Sequence, residues 1–272
     1  MKIYSQNIWG NFSDKECIGN RNHLIKQLID DINPDFLCFQ ECNPSTSRSG
    51  DSAIDDILKD EFCEVSKEHG RNNFTPIFYN PKNSKLIDGG YKVFEGLNDW
   101  NSKSYTWAVF KELKTDKFIC IISVHFWWKY TGEVDNIQRR ENAKEVALKV
   151  KEITNKYNCP VIIAGDLNSG VNSKQGSDSY NEMIKLGMND VRYICKDSTD
   201  EYTCSYSYPK HTKDGIYYDG KAPEITIDYI FAYKKELINA KRFSIINNQT
   251  ARNSSDHSPL VLELEVIEIK GF

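Results

Sequence analysis

The 272-residue sequence predicts a mixed α/β fold in a single domain, residues 1–272. Three observations carry that expectation. Short apolar runs such as Phe36-Leu37-Cys38-Phe39 and Val161-Ile162-Ile163-Ala164 recur along the chain, the pattern of strands buried on both faces. Between them lie stretches with apolar residues at helical spacing, as in Leu24, Ile25, Leu28, Ile29 and Ile32. Strands and helices come in two rounds, which suggests two sheets packed face to face with helices outside.

Taken in order, Lys2 to Gln6 reads as a strand, and the helix through Leu24–Ile32 stops at Asn33-Pro34, where proline restricts the residue before it. Asp35 to Glu41 is a buried strand, and residues 51–60 a short helix. Strands are expected near 62–66, 75–80, 85–94, 105–112 and 117–124, with Lys82-Asn83 and Gly89-Gly90 as turns or bulges. A long helix follows, with Val134, Ile137, Val146, Ala147, Val150 and Ile153 near one face, ending at Asn158-Cys159-Pro160. The strand 161–164 leads to a helix over 177–187 that Gly187 can cap. Residues 196–223 read as a long polar and aromatic loop, and strands at 225–233, 240–247 and 259–267 finish the chain.

Composition narrows the function. Hydrophobic residues at 39% and aromatics at 12% supply a sizeable core, which excludes a disordered chain. No apolar run approaches a membrane span, and the first residues show no signal-peptide pattern. The expected location is the cytoplasm, or outside the cell if a signal was removed. The eight cysteines are scattered, with Cys38, Cys120 and Cys159 in or beside strand-like runs, so buried free thiols are expected. Net charge is −4, and the densest basic groups are the pairs Arg139-Arg140, Lys234-Lys235 and Lys241-Arg242. That balance counts against tight binding along extended nucleic acid.

Polar residues end or interrupt several strand-like runs. They are Asn7, Glu41, His125, the Asp166-Leu167-Asn168 step, Asp228 and Asp256-His257. Strand ends at one sheet edge can gather such groups into a cleft. Carboxylate and amide oxygens without a cysteine cluster suit a hard divalent cation, Mg²⁺ or Mn²⁺, better than zinc. Glu41 is the leading metal-ligand candidate, because a carboxylate emerging from a buried strand needs a partner. Asp166 and Asn168, two apart on an extended segment, project to the same side and can bracket one water. Gly165 permits close backbone approach beside them.

These pieces, in this order, resemble the endonuclease/exonuclease/phosphatase superfamily, the deoxyribonuclease I-like metal-dependent phosphoesterases, over roughly residues 2 to 266. The resemblance implies a four-layer α/β/β/α sandwich and hydrolysis of a phosphoester by an Asp-oriented water. It implies Asn7 and Asp256 near the metal with Glu41, and a catalytic set of His125, Asp166, Asn168, Asp228 and His257. Within that set Asp228 accepts from the His257 imidazole, and His125 contacts phosphate or protonates the leaving group. Arg139, with Asn142 and Ala143, matches a family pattern and is expected to hold neighbouring loops. Gly70-Arg71-Asn72 is similar to a segment through which family nucleases touch the substrate backbone, making Arg71 and Asn72 substrate-binding candidates. Trp127, with Trp128, is a candidate for stacking on a sugar or base.

Each residue also has a plainer reading: Asn7 as a turn, Glu41 as a solvated strand end, Asp166-Asn168 as an Asx-turn, His125 as a core histidine and Trp127 as packing. The chain departs from the family at two places. Thr75-Pro76 stands where an acidic partner of the first histidine is found, and Thr203-Cys204-Ser205 where Thr-aromatic-His is common. Both bear on substrate rather than on the hydrolytic core. Composition favours a compact phosphoester such as a phosphosugar, phospholipid headgroup or nucleotide. The alternatives are a DNA or RNA nuclease and a non-catalytic binding protein on the same fold.

Overall fold

The computed structural model describes residues 1–10, 15–45, 47–48, 53–67, 72–170, 172–204, 208–212, 215–219 and 223–268, with 15–20, 208–212 and 215–219 described by backbone alone. The chain opens with β1 (Lys2–Asn7), α1 (Lys15–Ile32) and β2 (Phe36–Gln40). After α2 (Ile54–Leu58) come β3 (Cys63–Glu64), β4 (Ile77–Tyr79), β5 (Ser84–Val93), β6 (Ser104–Glu112) and β7 (Phe118–His125). The long α3 (Glu133–Tyr157) leads to β8 (Val161–Asp166), α4 (Asp178–Lys185), β9 (Asn189–Asp190) and β10 (Asp197–Ser198). A hairpin of β11 (Tyr208–Thr212) and β12 (Gly215–Asp219) precedes β13 (Asp228–Tyr233), β14 (Ile238–Ile245), α5 (Gln249–Ser254) and β15 (Leu260–Val266).

The strands form a seven-stranded sheet in the order β10-β14-β15-β1-β2-β4-β3 and a six-stranded sheet in the order β5-β6-β7-β8-β13-β9. Their facing sides make one core, in which Ile3, Phe36, Cys38 and Leu262 meet Phe110, Ile121, Ile162 and Ile230. Strand alternation sends the neighbouring residues outward. Tyr4, Leu37 and Phe39 pack with Ile25, Leu28 and Ile29 of α1. On the far face Ile122, Val124, Val161 and Ile163 pack with Ala143, Val146, Ala147 and Val150 of α3. Helix, sheet, sheet and helix are thus stacked as a four-layer α/β/β/α sandwich. Doubly apolar strands are what this layering demands, since each central strand is covered on both sides.

Three local expectations need correction. Val134 and Ile137 do not join the buried face of α3; they are 65% and 45% exposed. The first turns of α3 instead bury Asp135, Gln138, Arg139 and Asn142, because there the helix lies over polar loops rather than over the sheet. Residues 196–223 are not simply a loop, since they carry β10, the Cys204–Ile225 bridge and the β11–β12 hairpin. The helix α5 was not foreseen; the Asn248 side chain caps it by accepting from Ala251 N at 2.9 Å. The helix ends were legible. Asn33, Asn158 and Gly187 all take positive φ just past α1, α3 and α4, as helix C-caps do.

Candidate active site

Register places the polar strand ends side by side. In the six-stranded sheet His125 of β7 pairs with Asp166 of β8, and Asp166 pairs with Asp228 of β13. One row of the sheet edge therefore carries an imidazole and two carboxylates. Across the sandwich, Asn7 ends β1 opposite Gln40 of β2, and Glu41 follows at once. The segment entering β15 lies beside β1, where Ser255 Oγ donates to Asn7 O at 2.7 Å and Gln6 Nε2 donates to His257 O at 3.3 Å. Two close backbone approaches make the convergence possible. A side chain at Gly165 (φ +147°) would sit 2.0 Å from Val124 O, and one at Gly10 would sit 2.0 Å from Glu41 O.

The side chains then meet between the sheets. Asn7 Nδ2 donates to Glu41 Oε1 at 3.2 Å and to Asp166 Oδ2 at 3.0 Å. Asp166 Oδ1 accepts from Asn168 N at 2.7 Å, while Asn168 Nδ2 donates to Phe126 O at 3.0 Å. The Asx-type turn and the paired acid and amide coexist here, with Asn168 at φ 48°. Glu41 (φ 53°) is also in the left-handed region, a strained place for a non-glycine residue and one enriched at working sites. Asp228 Oδ2 lies 2.8 Å from His257 Nδ1 and joins the two sheets. His125 Nε2 lies 3.6 Å from Asp166 Oδ2 and 3.9 Å from Glu41 Oε1.

Burial and charge displace the titrating groups in different directions. Burial, and then the charge of Asp228, raise the Asp166 carboxyl to about 7, although His257, Asn168 N–H and Asn7 pull it down. Burial and the charge of Glu41 raise Asp256 to about 6, against the pull of His257. Burial alone would lower His257, but the Asp228 and Asp256 charges outweigh it and hold the imidazole well above its usual range. Burial and the charges of Lys103 and His257 push His125 well below its usual range. One histidine is therefore held cationic and the other neutral.

Glu41 and Asp256 repel one another across the cleft floor, and this oxygen-rich pair fits a hard divalent cation such as Mg²⁺. As placed, Asn7 spends its Oδ1 on Trp9 N–H at 3.0 Å. It braces Glu41 and Asp166 through Nδ2, and serving a cation through oxygen requires the amide to turn.

Above the floor is a cleft of ≈ 610 Å³ lined by Trp9, Phe74, Asp99, Trp100, Lys103 and Trp128, with Glu41, Asn168 and Asp256. Trp127 does not serve as a stacking wall. It is 3% exposed, and its Nε1 donates to Asp135 Oδ1 at 2.6 Å. Past the end of β7 it is Trp128 that turns outward, 43% exposed. Asn72 is exposed and is not among the cleft's lining residues; its carbonyl accepts from the Tyr91 hydroxyl at 3.3 Å. Arg71 lies outside the described residues. Arg139 is fully buried and donates to Lys129 O, and to Gln175 O at 3.2 Å, tying two loops together.

Sequence reasoning missed Lys103. It is 5% exposed, its Nζ lies 3.0 Å from His125 Nε2 and 3.3 Å from Nδ1, and burial lowers its pKa. A buried amine thus stands beside the histidine. Only the β6–β7 register, which pairs Ser104 with His125, could have revealed it. Near the expected acid, Thr75 Oγ1 instead meets Ser104 Oγ at 3.0 Å.

A family model described as "Endonuclease/Exonuclease/phosphatase family" matches residues 4–257. No curated protein sequence matches the chain. Among solved structures, a mannosyl-6-phosphatase of Bacteroides thetaiotaomicron VPI-5482 is 20% identical, with TM-score 0.72 over 97% of this chain and 99% of that one. The human Nocturnin catalytic domain with bound sulfate anion is 16% identical, with TM-score 0.68 over 98% and 93%. The D. rerio TDP2 complex with single strand DNA product is 17% identical, with TM-score 0.65 over 98% and 99%. At these identities the likeness speaks for the fold.

Proposed function

The chain belongs to the endonuclease/exonuclease/phosphatase family, whose members hydrolyse phosphoester bonds, and from that premise we propose that it hydrolyses a small phosphoester with Mg²⁺ or Mn²⁺. The observation that carries the reading is the closed set of contacts joining Asn7, Glu41, Asp166 and His125, with the Asp228–His257 couple beside it. Glu41 and Asp256 would hold the cation, with Asn7 bracing Glu41 through its Nδ2 rather than ligating as placed. When bound, that ion polarises a phosphoryl oxygen and steadies the leaving oxygen.

The chain's own groups supply the rest. Asp166 is held by Asn7 and Asn168 N–H, so its carboxylate is aimed before substrate arrives. It orients a water for in-line attack and takes its proton, and Asn168 aligns that water. His257, kept charged by Asp228, neutralises charge gathering on the phosphoryl oxygens. Neutral His125 and its Lys103 neighbour face the same centre, where the ring N–H of His125 can donate a hydrogen bond to a phosphoryl oxygen. Trp9, Trp100 and Trp128 stand where the organic part of the ester would rest.

The aromatic walls and sparse basic residues favour a compact ester over a polynucleotide. A nuclease is the second reading, because tryptophan faces also stack bases. The test is a panel of phosphomonoesters, phosphodiesters and polynucleotides with Mg²⁺ and with chelator. Salt-insensitive, metal-dependent turnover of a small ester supports the proposal. Turnover confined to polynucleotide, falling steeply with salt, would move the assignment to the nuclease. Silence on every ester would leave a binding protein. We also assign the protein to a reducing compartment such as the cytoplasm, in keeping with the free thiols of all seven described cysteines. No helix among the described residues is long and apolar enough to cross a membrane.

A further inference from the structure

We propose that Cys204, Asp228 and His257 form a second, inhibitory metal site that takes a thiophilic cation such as Zn²⁺. One atom of each, Sγ, a carboxylate oxygen and an imidazole nitrogen, lies within 4.8 Å of the others, and all three residues are buried. The sulfur is 3.6 Å from His257 Nδ1, and Asp228 Oδ2 is 2.8 Å from the same nitrogen. Nδ1 can carry one proton and commits it to Asp228, so the sulfur stands at bonding range of a nitrogen already engaged. Tetrahedral zinc, with bonds of ~2.0–2.3 Å, spaces sulfur and nitrogen at about this separation, and a cation there needs Asp228 only to draw back from its hydrogen bond to bind as the third ligand.

The ligand set is distinct in kind from the oxygen pair Glu41 and Asp256. Sulfur and imidazole select Zn²⁺ over Mg²⁺, whereas carboxylate oxygens suit Mg²⁺. Local structure fixes the approach. The Cys204–Ile225 bridge brings the thiol to the start of β13, and Thr203 Oγ1 accepts from Ile227 N at 3.1 Å and Asp228 N at 3.3 Å. Binding releases the thiol proton and the Nδ1 proton to solvent, and the metal takes both electron pairs. His257 keeps its Nε2 proton but loses its cationic form and its hydrogen bond to Asp228. The inhibition rests on the proposed hydrolysis; the binding does not.

The experiment separates the two. Wild-type protein, Cys204→Ser, Asp228→Asn and Cys63→Ser are loaded with Co²⁺ under excess Mg²⁺, without substrate, and scanned for thiolate-to-cobalt absorption. We expect a band in the wild type and in Cys63→Ser, the exposed-thiol control, that Zn²⁺ displaces. Cys204→Ser should lack it and Asp228→Asn should weaken it. No band in the wild type, or an unchanged band in Cys204→Ser, overturns the site whatever the hydrolase does. In parallel, metal-dependent hydrolysis of bis-p-nitrophenyl phosphate is titrated with Zn²⁺. Cys204→Ser should match wild type without zinc and need about 10–100-fold more Zn²⁺ for equal inhibition. Equal sensitivity overturns the inhibitory role even if the band is present.

Discussion

The two sheets reach one cleft with different chemistry. The seven-stranded sheet delivers Asn7 and Glu41 and, beside β1, Asp256 and His257. The six-stranded sheet delivers the row His125, Asp166 and Asp228. Each edge holds one histidine, both are buried, and they are displaced in opposite directions. His257 is hydrogen-bonded to a carboxylate from the other sheet at 2.8 Å, whereas the group nearest His125 is Lys103, just before the neighbouring strand, with its carboxylates no closer than 3.6 Å. The same side chain with similar burial thus becomes a cation in one place and a neutral imidazole in the other. What decides is the partner that tertiary structure supplies.

The strongest way to break this division is to remove a proton-handling group. Asp166→Ala and His257→Ala should each lower kcat/KM by about 10²–10³-fold, the usual loss for a charge-stabilising group, with circular dichroism unchanged. Near-wild-type turnover in either variant would take that residue out of the mechanism. Changing the oxygen-rich edge should act differently. Glu41→Gln is expected to demand about 10–100-fold more Mg²⁺ for half-maximal rate, and an unaltered Mg²⁺ titration would place the cation elsewhere.

Stability against pH sharpens the contrast without any substrate. Asp166 and Asp256 are raised to about 7 and about 6, so folding favours their neutral forms. Their contribution is complete below the ordinary carboxylate range and is lost as pH rises through those values. His257, also raised, loses its contribution further into the alkaline range. His125, lowered, has the opposite sign: its contribution is present above its unfolded value near ~6.5 and lost as pH falls. Metal-free protein should therefore show a Tm that peaks at mildly acidic pH and falls on both sides. Saturating Mg²⁺ should lessen the alkaline-side fall through Asp256 and leave the acid side unchanged; a Mg²⁺ effect confined to the acid side would contradict the assignment.

Smaller effects separate the adjacent tryptophans from one another. Trp127→Phe removes the N–H bond to buried Asp135 and should cost about 1–3 kcal/mol of stability, read by denaturant melts, with KM unchanged. Trp100, 81% exposed on the cleft, should do the reverse. Trp100→Ala is expected to raise KM a few-fold, about 0.5–1.5 kcal/mol of aromatic contact, at constant Tm. A KM change in Trp127→Phe with none in Trp100→Ala would reverse their roles.

Much of this was legible before any coordinates. Apolar runs located most strands because a doubly covered strand must be apolar on both faces, and Asn33, Asn158 and Gly187 marked helix ends. The start of α3 misled, because Val134 and Ile137 fit the helical period while loops from elsewhere took the buried face. The β11–β12 hairpin and α5 were missed because polar residues carry little periodic signal. Trp127 and Trp128 could not be told apart, since neighbouring residues at a strand exit differ only in which side the chain turns. Arg71 lies outside the described residues.

By itself the sequence determined the alternation of strands and helices, the family to which their polar ends belong, and a choice of oxygen donors suited to a hard cation. Those follow from local hydrophobicity, chain stiffness and residue chemistry, which travel with the chain. Only the folded arrangement decided that Lys103 lies against His125, that Cys204 lies beside His257, and that the two imidazoles carry different charge. Such outcomes depend on register and on sheet-to-sheet packing between residues far apart in the chain, and Coulomb energies change with every ångström of those separations.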